Sequence, residues 1–141
     1  MRVAPVLLLL LAACRQPILV DTSAANLIPR DVAIERLKEA LATADAAVRS
    51  VPKHSLDRPE IKEWVVDDLG FEARAEGKEA IRVAFKDVTG TRLDRLYLFY
   101  QVRIFTPAQP NPKKDFVHLN WTSEAQARKA LELLDALWQK R

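Results

Sequence analysis

A short apolar run near the amino terminus most constrains how this chain can fold, because it divides the sequence into a leader and a mature part. Arg2 precedes the run at residues 6–11, and Ala12 and Ala13 follow it before Cys14. A positive start, an apolar centre and small residues before a cleavage point are typical of a secretory signal peptide. The run is much shorter than the ~20 apolar residues that a spanning helix needs. We therefore predict a signal peptide over residues 1–13.

The residues that end this run resemble the lipobox of bacterial lipoproteins. Leu11, Ala12, Ala13 and Cys14 carry the resemblance, and Cys14 is the only cysteine, so no intramolecular disulfide accounts for it. The resemblance implies a diacylglyceryl group on the thiol, cleavage between Ala13 and Cys14, and acylation of the new amino terminus with a fatty acid such as palmitate. The alternatives are an ordinary secretory signal with an incidental cysteine, or a buried apolar segment of a cytosolic domain.

Acylation would hold the chain at a membrane of the cell envelope. At ~0.8 kcal/mol per buried methylene, one acyl chain binds reversibly, whereas two or three hold a soluble domain stably. The next residue is Arg15 and not the Asp that resembles an inner-membrane retention signal in many Gram-negative species. We expect the periplasmic face of the outer membrane in preference to the inner membrane.

Removal of the predicted signal peptide leaves 128 of the 141 residues. A chain of this size can form one domain with its own core. The 22 basic and 19 acidic residues are interspersed along the chain, which is typical of a solvated surface and not of a nucleic-acid footprint. We expect no nucleic-acid partner.

The segment after the cysteine is interpreted as a lipidated tether over residues 14–28. It is polar apart from the brief run of Ile18, Leu19 and Val20. The alternative is that this run forms an edge strand or packs on the domain. A single domain is expected over residues 29–141.

Apolar residues at three- and four-residue steps predict an amphipathic helix over residues 30–49. Pro29 suits a first helical position, and Asp31 lies in the first turn. The apolar face consists of Ile34, Leu37, Leu41, Ala44 and Val48. Charges of both signs cover the opposite face, so we expect this helix to pack on its own domain and not to lie on a membrane.

Alternating apolar and polar residues predict a series of short antiparallel strands. These strands are expected at residues 61–66, 71–75, 81–86, 92–96, 97–106 and 116–121, with Ile81, Val83 and Phe85 on one face of the third. Asp67 and Asp68 lie between the first two strands. Neighbours on an extended chain point to opposite sides, so this pair indicates turn chemistry and not an acid–base pair.

A proline-rich segment at residues 107–114 interrupts the strands. Proline cannot donate to a sheet ladder, so the segment must be an exposed loop. Its stiffness lowers the ordering cost of association, and its two lysines add positive charge. The candidate interaction loop comprises Pro107, Pro110, Pro112, Lys113 and Lys114. A plain solvated connection between strands is the alternative.

A capping box, Ser123 followed by Gln126, predicts the start of a closing helix. Ala127, Leu131, Leu134 and Trp138 then lie on one apolar face. We expect Trp138 to be largely buried. We also expect at least two of the three tryptophans, Trp64, Trp121 and Trp138, to lie in the core.

The order of elements predicts an α+β fold, in which an N-terminal helix and a C-terminal capping helix pack on a curved antiparallel sheet of five to six strands. From Trp64 to Trp138 the pattern also resembles bacterial pleckstrin-homology-like (PH-like) domains. The resemblance rests on an early hairpin, a strand leading into a bend at residues 85–88, a strand at 100–105, and a last strand feeding the helix. The first hairpin lacks the paired basic signature of phosphoinositide-binding members, so lipid headgroup recognition is not implied.

Residues suited to catalysis or metal binding are few. His54 and His118 have no cysteine or acidic neighbour at metal-ligand spacing. The three glycines form no phosphate loop, and the serines lack the surroundings of an activated nucleophile. We expect no enzymatic activity, no metal and no cofactor.

Two functions then compete. The first is a membrane-anchored envelope lipoprotein whose domain binds an envelope protein partner without catalysis. The alternative is a carrier for a small ligand or lipid, which needs an open apolar groove between the sheet and the helix predicted at residues 30–49.

Overall fold

The computed structural model describes residues 15–50, 60–107 and 116–139. The predicted signal peptide, Cys14, His54 and the loop residues Pro110, Pro112, Lys113 and Lys114 lie outside the described residues. The described chain has the α+β composition that the sequence predicts. Its helices are α1 (Arg30–Ala42) and α2 (Glu124–Gln139), and its strands are β1 (Arg15–Ile18), β2 (Ala46–Ser50), β3 (Ile61–Val66), β4 (Gly70–Ala75), β5 (Ile81–Ala84), β6 (Gly90–Leu96), β7 (Tyr100–Phe105) and β8 (Phe116–Trp121).

These eight strands form two antiparallel sheets, where the sequence predicted one sheet of five to six strands. The larger sheet has the order β1-β6-β7-β8-β2, and the smaller has the order β3-β4-β5. Gly70 lets two strands of the smaller sheet approach closely, because a Cβ at this position would lie 2.0 Å from the carbonyl oxygen of Val83. None of the described strands closes the two sheets into a barrel.

One face of the larger sheet forms much of the core, as the alternation predicted. Val102 and Ile104 of β7 and Leu119 and Trp121 of β8 are fully buried. The same core includes Leu37 of α1 and buried residues of the smaller sheet and α2. Both sheets and both helices therefore share one hydrophobic core. No helix in the described ranges is both long enough and apolar enough to cross a membrane.

The prediction of a tether over residues 14–28 is wrong for most of the residues in this range that the structure describes. Arg15–Ile18 forms β1, which pairs with Leu93–Leu96 at the edge of the larger sheet. Ser23–Leu27 then forms a 3-10 turn in which Ala25 is buried. The alternative for Ile18, Leu19 and Val20 holds in part: Ile18 ends the edge strand and packs with Val20 against the core, whereas Leu19 is 95% exposed. The edge of β6 supplies hydrogen-bonding groups that an extended segment can satisfy.

The predicted helix over residues 30–49 is also too long. It ends at Ala42, and Ala46–Ser50 becomes β2, which pairs with β8. The side-chain hydroxyl of Thr43 donates to the Ala40 carbonyl at 2.6 Å, and the Asp45 amide donates to the Asn120 carbonyl at 2.8 Å. Pairing with β8 thus outweighs the weak helical preference of this stretch.

The closing helix begins and packs as predicted. The Ser123 side chain accepts a hydrogen bond from the Gln126 amide at 3.3 Å, and Ala127, Leu131 and Leu134 are buried. Trp138 is only half-buried and so is Trp64, which leaves Trp121 as the one fully buried member of the three. The prediction that at least two tryptophans lie in the core is therefore wrong. Both half-buried rings lie at the margin of the core.

Candidate functional site

A cluster of polar side chains lies on the face of the larger sheet opposite the core. We call it the Asp94 cluster; it comprises Arg15, Arg92, Asp94, Gln101, Arg103, His118 and Asn120. Leu93 and Val102 point into the core, so their strand neighbours Asp94 and Gln101 must point to the other face. The register places Asp94 opposite Gln101, which in turn lies opposite Asn120. Four strands therefore contribute to one polar surface.

Asp94 is the centre of this cluster and has no exposed surface. Its Oδ2 accepts hydrogen bonds from Arg15 and Arg92, each with a closest approach of 2.9 Å. Arg103 Nε lies 3.7 Å from the same oxygen. The other carboxylate oxygen, Oδ1, is buried without a hydrogen-bond partner among the described residues. Burial of a charge is tolerated here because several guanidinium groups pair with it.

Gln101 links the charged half of the cluster to the two side chains from β8. Its side-chain oxygen accepts from Arg103 Nε at 3.0 Å. Its side-chain nitrogen donates to Asn120 Oδ1 at 3.1 Å and to His118 Nδ1 at 2.5 Å. Gln101 and Asn120 are both buried, at 4% and 5% exposure. This network holds the polar side chains in defined positions across β7 and β8.

The Asp94 cluster is electropositive. Three guanidinium groups surround one carboxylate, which leaves an excess of two positive charges. Burial lowers the pKa of Arg103, and the neighbouring charges of Arg15 and Arg92 lower this pKa further. Arginine remains protonated in proteins, so the positive charge persists. Such a surface can bind carboxylate or phosphate groups, which guanidinium groups recognise well.

The cluster was not predicted as a site. Gln101 and Arg103 lie two residues apart on β7, so strand alternation places both on one face, where they share a hydrogen bond. Polar residues at alternate positions of β6 and β7 are a usable signal. The contribution of Arg15 is not visible in the sequence, because it lies 79 residues from Asp94 along the chain.

The structure places few of the sequence-predicted site residues. Cys14 precedes the first described strand residue, Arg15, directly in the chain. Pro107 is exposed just after β7 and is the only member of the candidate interaction loop among the described residues. Within residues 15–50, 60–107 and 116–139, no group of three or more His, Cys, Asp or Glu side chains could hold a metal ion.

Asp67 and Asp68 form part of the turn between β3 and β4, as predicted. Asp67 Oδ1 accepts from the amides of Leu69 and Gly70 at 2.8 and 3.1 Å. Asp68 pairs with Arg30 at the start of α1. Arg30 also donates to the Leu137 carbonyl at 3.2 Å, near the end of α2. These contacts join the β3–β4 turn to both helices.

A cleft of about 600 Å³ opens beside this turn. Its lining includes the apolar residues Phe71, Val83, Phe85 and Leu137, each 3% exposed or less. Charged residues of both signs form the remainder, and several are paired, as in the contact of Arg82 with Glu72 at 3.0 Å. The Arg82 hydrogen bond lowers the pKa of Glu72. The cleft is therefore lined both by apolar side chains and by paired charges.

A second cleft, of about 670 Å³, lies between α1 and β3. It corresponds to the position of the groove that the carrier function requires. Its lining includes Ala42 and Trp64, but Lys38, Glu60, Lys62 and other charged residues form most of its walls. Beneath α1, Leu37 and Leu41 are fully buried. This cleft lacks the apolar wall expected of a lipid groove.

Comparisons of the chain with protein-family models, with curated proteins and with solved structures found no match.

Proposed function

We propose that this chain is a lipoprotein of the bacterial cell envelope, cleaved between Ala13 and Cys14 and lipidated at Cys14. The observation that carries the proposal is the position of this single cysteine, directly after Leu11, Ala12 and Ala13. Two or three acyl chains then supply enough buried methylene groups for stable attachment. The expected location is the periplasmic face of the outer membrane.

The start of the fold supports this proposal. β1 begins at the residue that follows Cys14, and Arg15 is bound to Asp94 at 2.9 Å. Because consecutive Cα atoms are ~3.8 Å apart, a lipid on Cys14 would be attached at the surface of the domain itself. A lipidated chain would therefore hold its domain close to the bilayer and not at the end of a long tether.

The domain itself is proposed to bind an envelope protein partner without catalysis. The buried carboxylates of Asp94 and Asp135 serve structure: Asp94 pairs with arginines, and Asp135 accepts a hydrogen bond from Trp138 Nε1 at 2.7 Å. The electropositive Asp94 cluster gives this domain a surface suited to acidic groups. The loop with Pro107, Pro110, Pro112, Lys113 and Lys114 stays a prediction of a further partner contact.

A relationship with PH-like domains is part of the proposal. Its support is the order of seven strands, β2 to β8, followed directly by α2. These strands lie in two antiparallel sheets, and the first of the seven pairs with the last. α2 buries eight of its residues, six of them in the shared core, as a capping helix would.

The second candidate function is a carrier for a small ligand or lipid. The observation in its favour is the cleft of about 600 Å³, a volume within the usual range of ligand sites. The paired charges around this cleft disfavour binding of an alkyl chain, because the bound chain would remove these charges from water. We therefore rank the carrier below the interaction domain.

Replacement of Cys14 with Ser tests the lipoprotein proposal. In a Gram-negative host grown with labelled palmitate, the wild-type chain should take up label and remain in the membrane fraction after a high-salt wash. The Cys14→Ser variant should do neither, because its hydroxyl cannot receive the thioether-linked lipid.

Ala24→Ser is the control, since Ala24 is exposed and this change also introduces a serine side chain near the start of the described chain. It should behave as wild type. A Cys14→Ser variant that still fractionates stably with washed membranes would refute the lipid anchor.

A further inference from the structure

Two large apolar side chains project from the tip of the β6–β7 hairpin. Tyr97 is 85% exposed and Leu98 is 76% exposed. They form the two-residue connection between Leu96 and Phe99, which is closed by a hydrogen bond from the Leu96 amide to the Phe99 carbonyl at 2.8 Å. Two-residue hairpin turns favour Gly, Asn and Asp. A tyrosine and a leucine here therefore need a reason other than turn formation.

This tip lies beside the start of the described chain. The antiparallel register places Arg15 opposite Leu96, the last residue of β6 before the tip. Facing Cα atoms in such a ladder are ~5 Å apart, and Cys14 is one peptide bond from Arg15. A lipid on Cys14 would enter a bilayer next to Tyr97 and Leu98.

The charges around the tip differ between its two sides. Arg15 and Arg95 lie on the side of β1, where Arg95 is exposed and faces Gln16. On the side of β2 and β8, Asp45 and Glu60 share a cleft with Leu98. An anionic surface would attract the first side and repel the second. The charge distribution therefore favours one tilt of the domain, with β1 nearest to the headgroups.

We propose that the tip of the β6–β7 hairpin is a membrane contact, in which Tyr97 and Leu98 enter the interface of an anionic bilayer beside the lipid on Cys14. Tyrosine suits this position because its ring is apolar and its hydroxyl stays at the wet headgroup level. The lipid supplies attachment, and the hairpin with Arg15 and Arg95 sets the orientation. This inference rests on the proposed lipidation of Cys14.

A fluorescent probe at the tip tests the contact. If Cys14 carries lipid, Leu98→Cys supplies the only free thiol of the full chain, which a solvent-sensitive dye can label. The lipidated protein is inserted into phosphatidylcholine vesicles, with or without phosphatidylglycerol, that contain lipids bearing a quencher in the acyl chain. We expect strong quenching at position 98, greater with phosphatidylglycerol, and weaker quenching when Tyr97→Ser is added.

Leu69→Cys is the matched control, because Leu69 is 77% exposed and also lies in a turn between two strands. Its carbonyl accepts from the Phe85 amide, and Phe85 precedes the start of β6, the end of that strand opposite to the tip. At ~3.3 Å per residue, the seven residues of β6 separate the two ends by about 20 Å. We expect little quenching at position 69.

The outcomes separate this inference from the lipoprotein proposal. If the dye labels Cys14 in the wild-type chain and no palmitate is incorporated, the lipoprotein proposal fails. If the lipidated protein shows equal quenching at positions 98 and 69, or none at 98, only the hairpin contact is refuted. A shift in dye emission without lipid quenching would indicate that protein covers the tip, and this result also refutes the membrane contact.

Discussion

At the scale of single residues, Asp94 shows how one buried charge organises a surface. Its carboxylate has no exposed area and accepts hydrogen bonds from Arg15 of β1 and Arg92 of β6. Because Arg15 begins the described chain, Asp94 also ties this end of the molecule to the larger sheet. These contacts depend on the negatively charged carboxylate of Asp94 as acceptor, because the guanidinium groups of the arginines can only donate hydrogen bonds.

We predict that Asp94→Asn lowers the free energy of unfolding by roughly 1–3 kcal/mol, the usual cost of leaving buried hydrogen-bonding groups without a partner. The amide keeps the shape of the carboxylate but removes the charge that pairs with the arginines. Urea unfolding of the full chain measures this change. Asp87→Asn, at an exposed position, is the control and should lie within about 0.5 kcal/mol of wild type. Equal midpoints for the two variants would mean that the ion pairs contribute no net stability.

At the scale of elements, α2 is the helix that the local sequence specifies most completely. Its capping serine and its buried face agree with the prediction. Only its last turn differs, because Trp138 is half-buried and its indole donates to Asp135. Trp121 is fully buried, and its indole donates to Thr43 Oγ1 at 3.0 Å, just after α1.

We predict that Trp121→Ala costs about 3–5 kcal/mol of stability, the range for large-to-small changes in a core. Trp138→Ala should cost roughly 2 kcal/mol, about half as much, because part of its ring is already in water. Urea unfolding curves of the two variants give the comparison. A Trp138→Ala variant as unstable as Trp121→Ala would show that the ring is held in the core. A Trp138→Ala variant that unfolds with wild type would show that the end of α2 projects from the domain.

At the scale of the whole molecule, the two sheets and two helices enclose a single core, and the clefts lie outside it. Phe71 and Val83 line the cleft of about 600 Å³ but are each only 2% exposed. The paired charges of Arg74, Arg82 and Glu72 also line this cleft. An alkyl chain that entered the cleft would remove these charges from water, which is unfavourable.

We therefore predict no saturable binding of the fluorescent fatty acid cis-parinaric acid to the full chain, measured by titration. Saturable binding would favour the carrier function. In that case Ala84→Trp, which fills the cleft from its lining, should abolish binding, whereas Ala125→Trp at an exposed position of α2 should not.

The sequence alone determined the features that depend on neighbouring residues. Alternation over residues 61–66 and 116–121 predicted β3 and β8, and the spacing of Ser123, Gln126 and Ala127 predicted α2, because side-chain direction and capping are local. The same kind of local pattern predicts the leader and the lipidated cysteine. The α+β composition followed from the order of these elements.

Only the tertiary structure decided what residues 15–18 and 46–50 become. Their sequences are compatible with a tether and with helix, and they form strands because β6 and β8 offer backbone partners distant in the chain. The Asp94 cluster likewise exists only through register, which brings Arg15 to a carboxylate 79 residues away. Strand pairing is a contact between distant segments, so the local sequences of residues 15–18 and 46–50 do not by themselves show which partners they pair with.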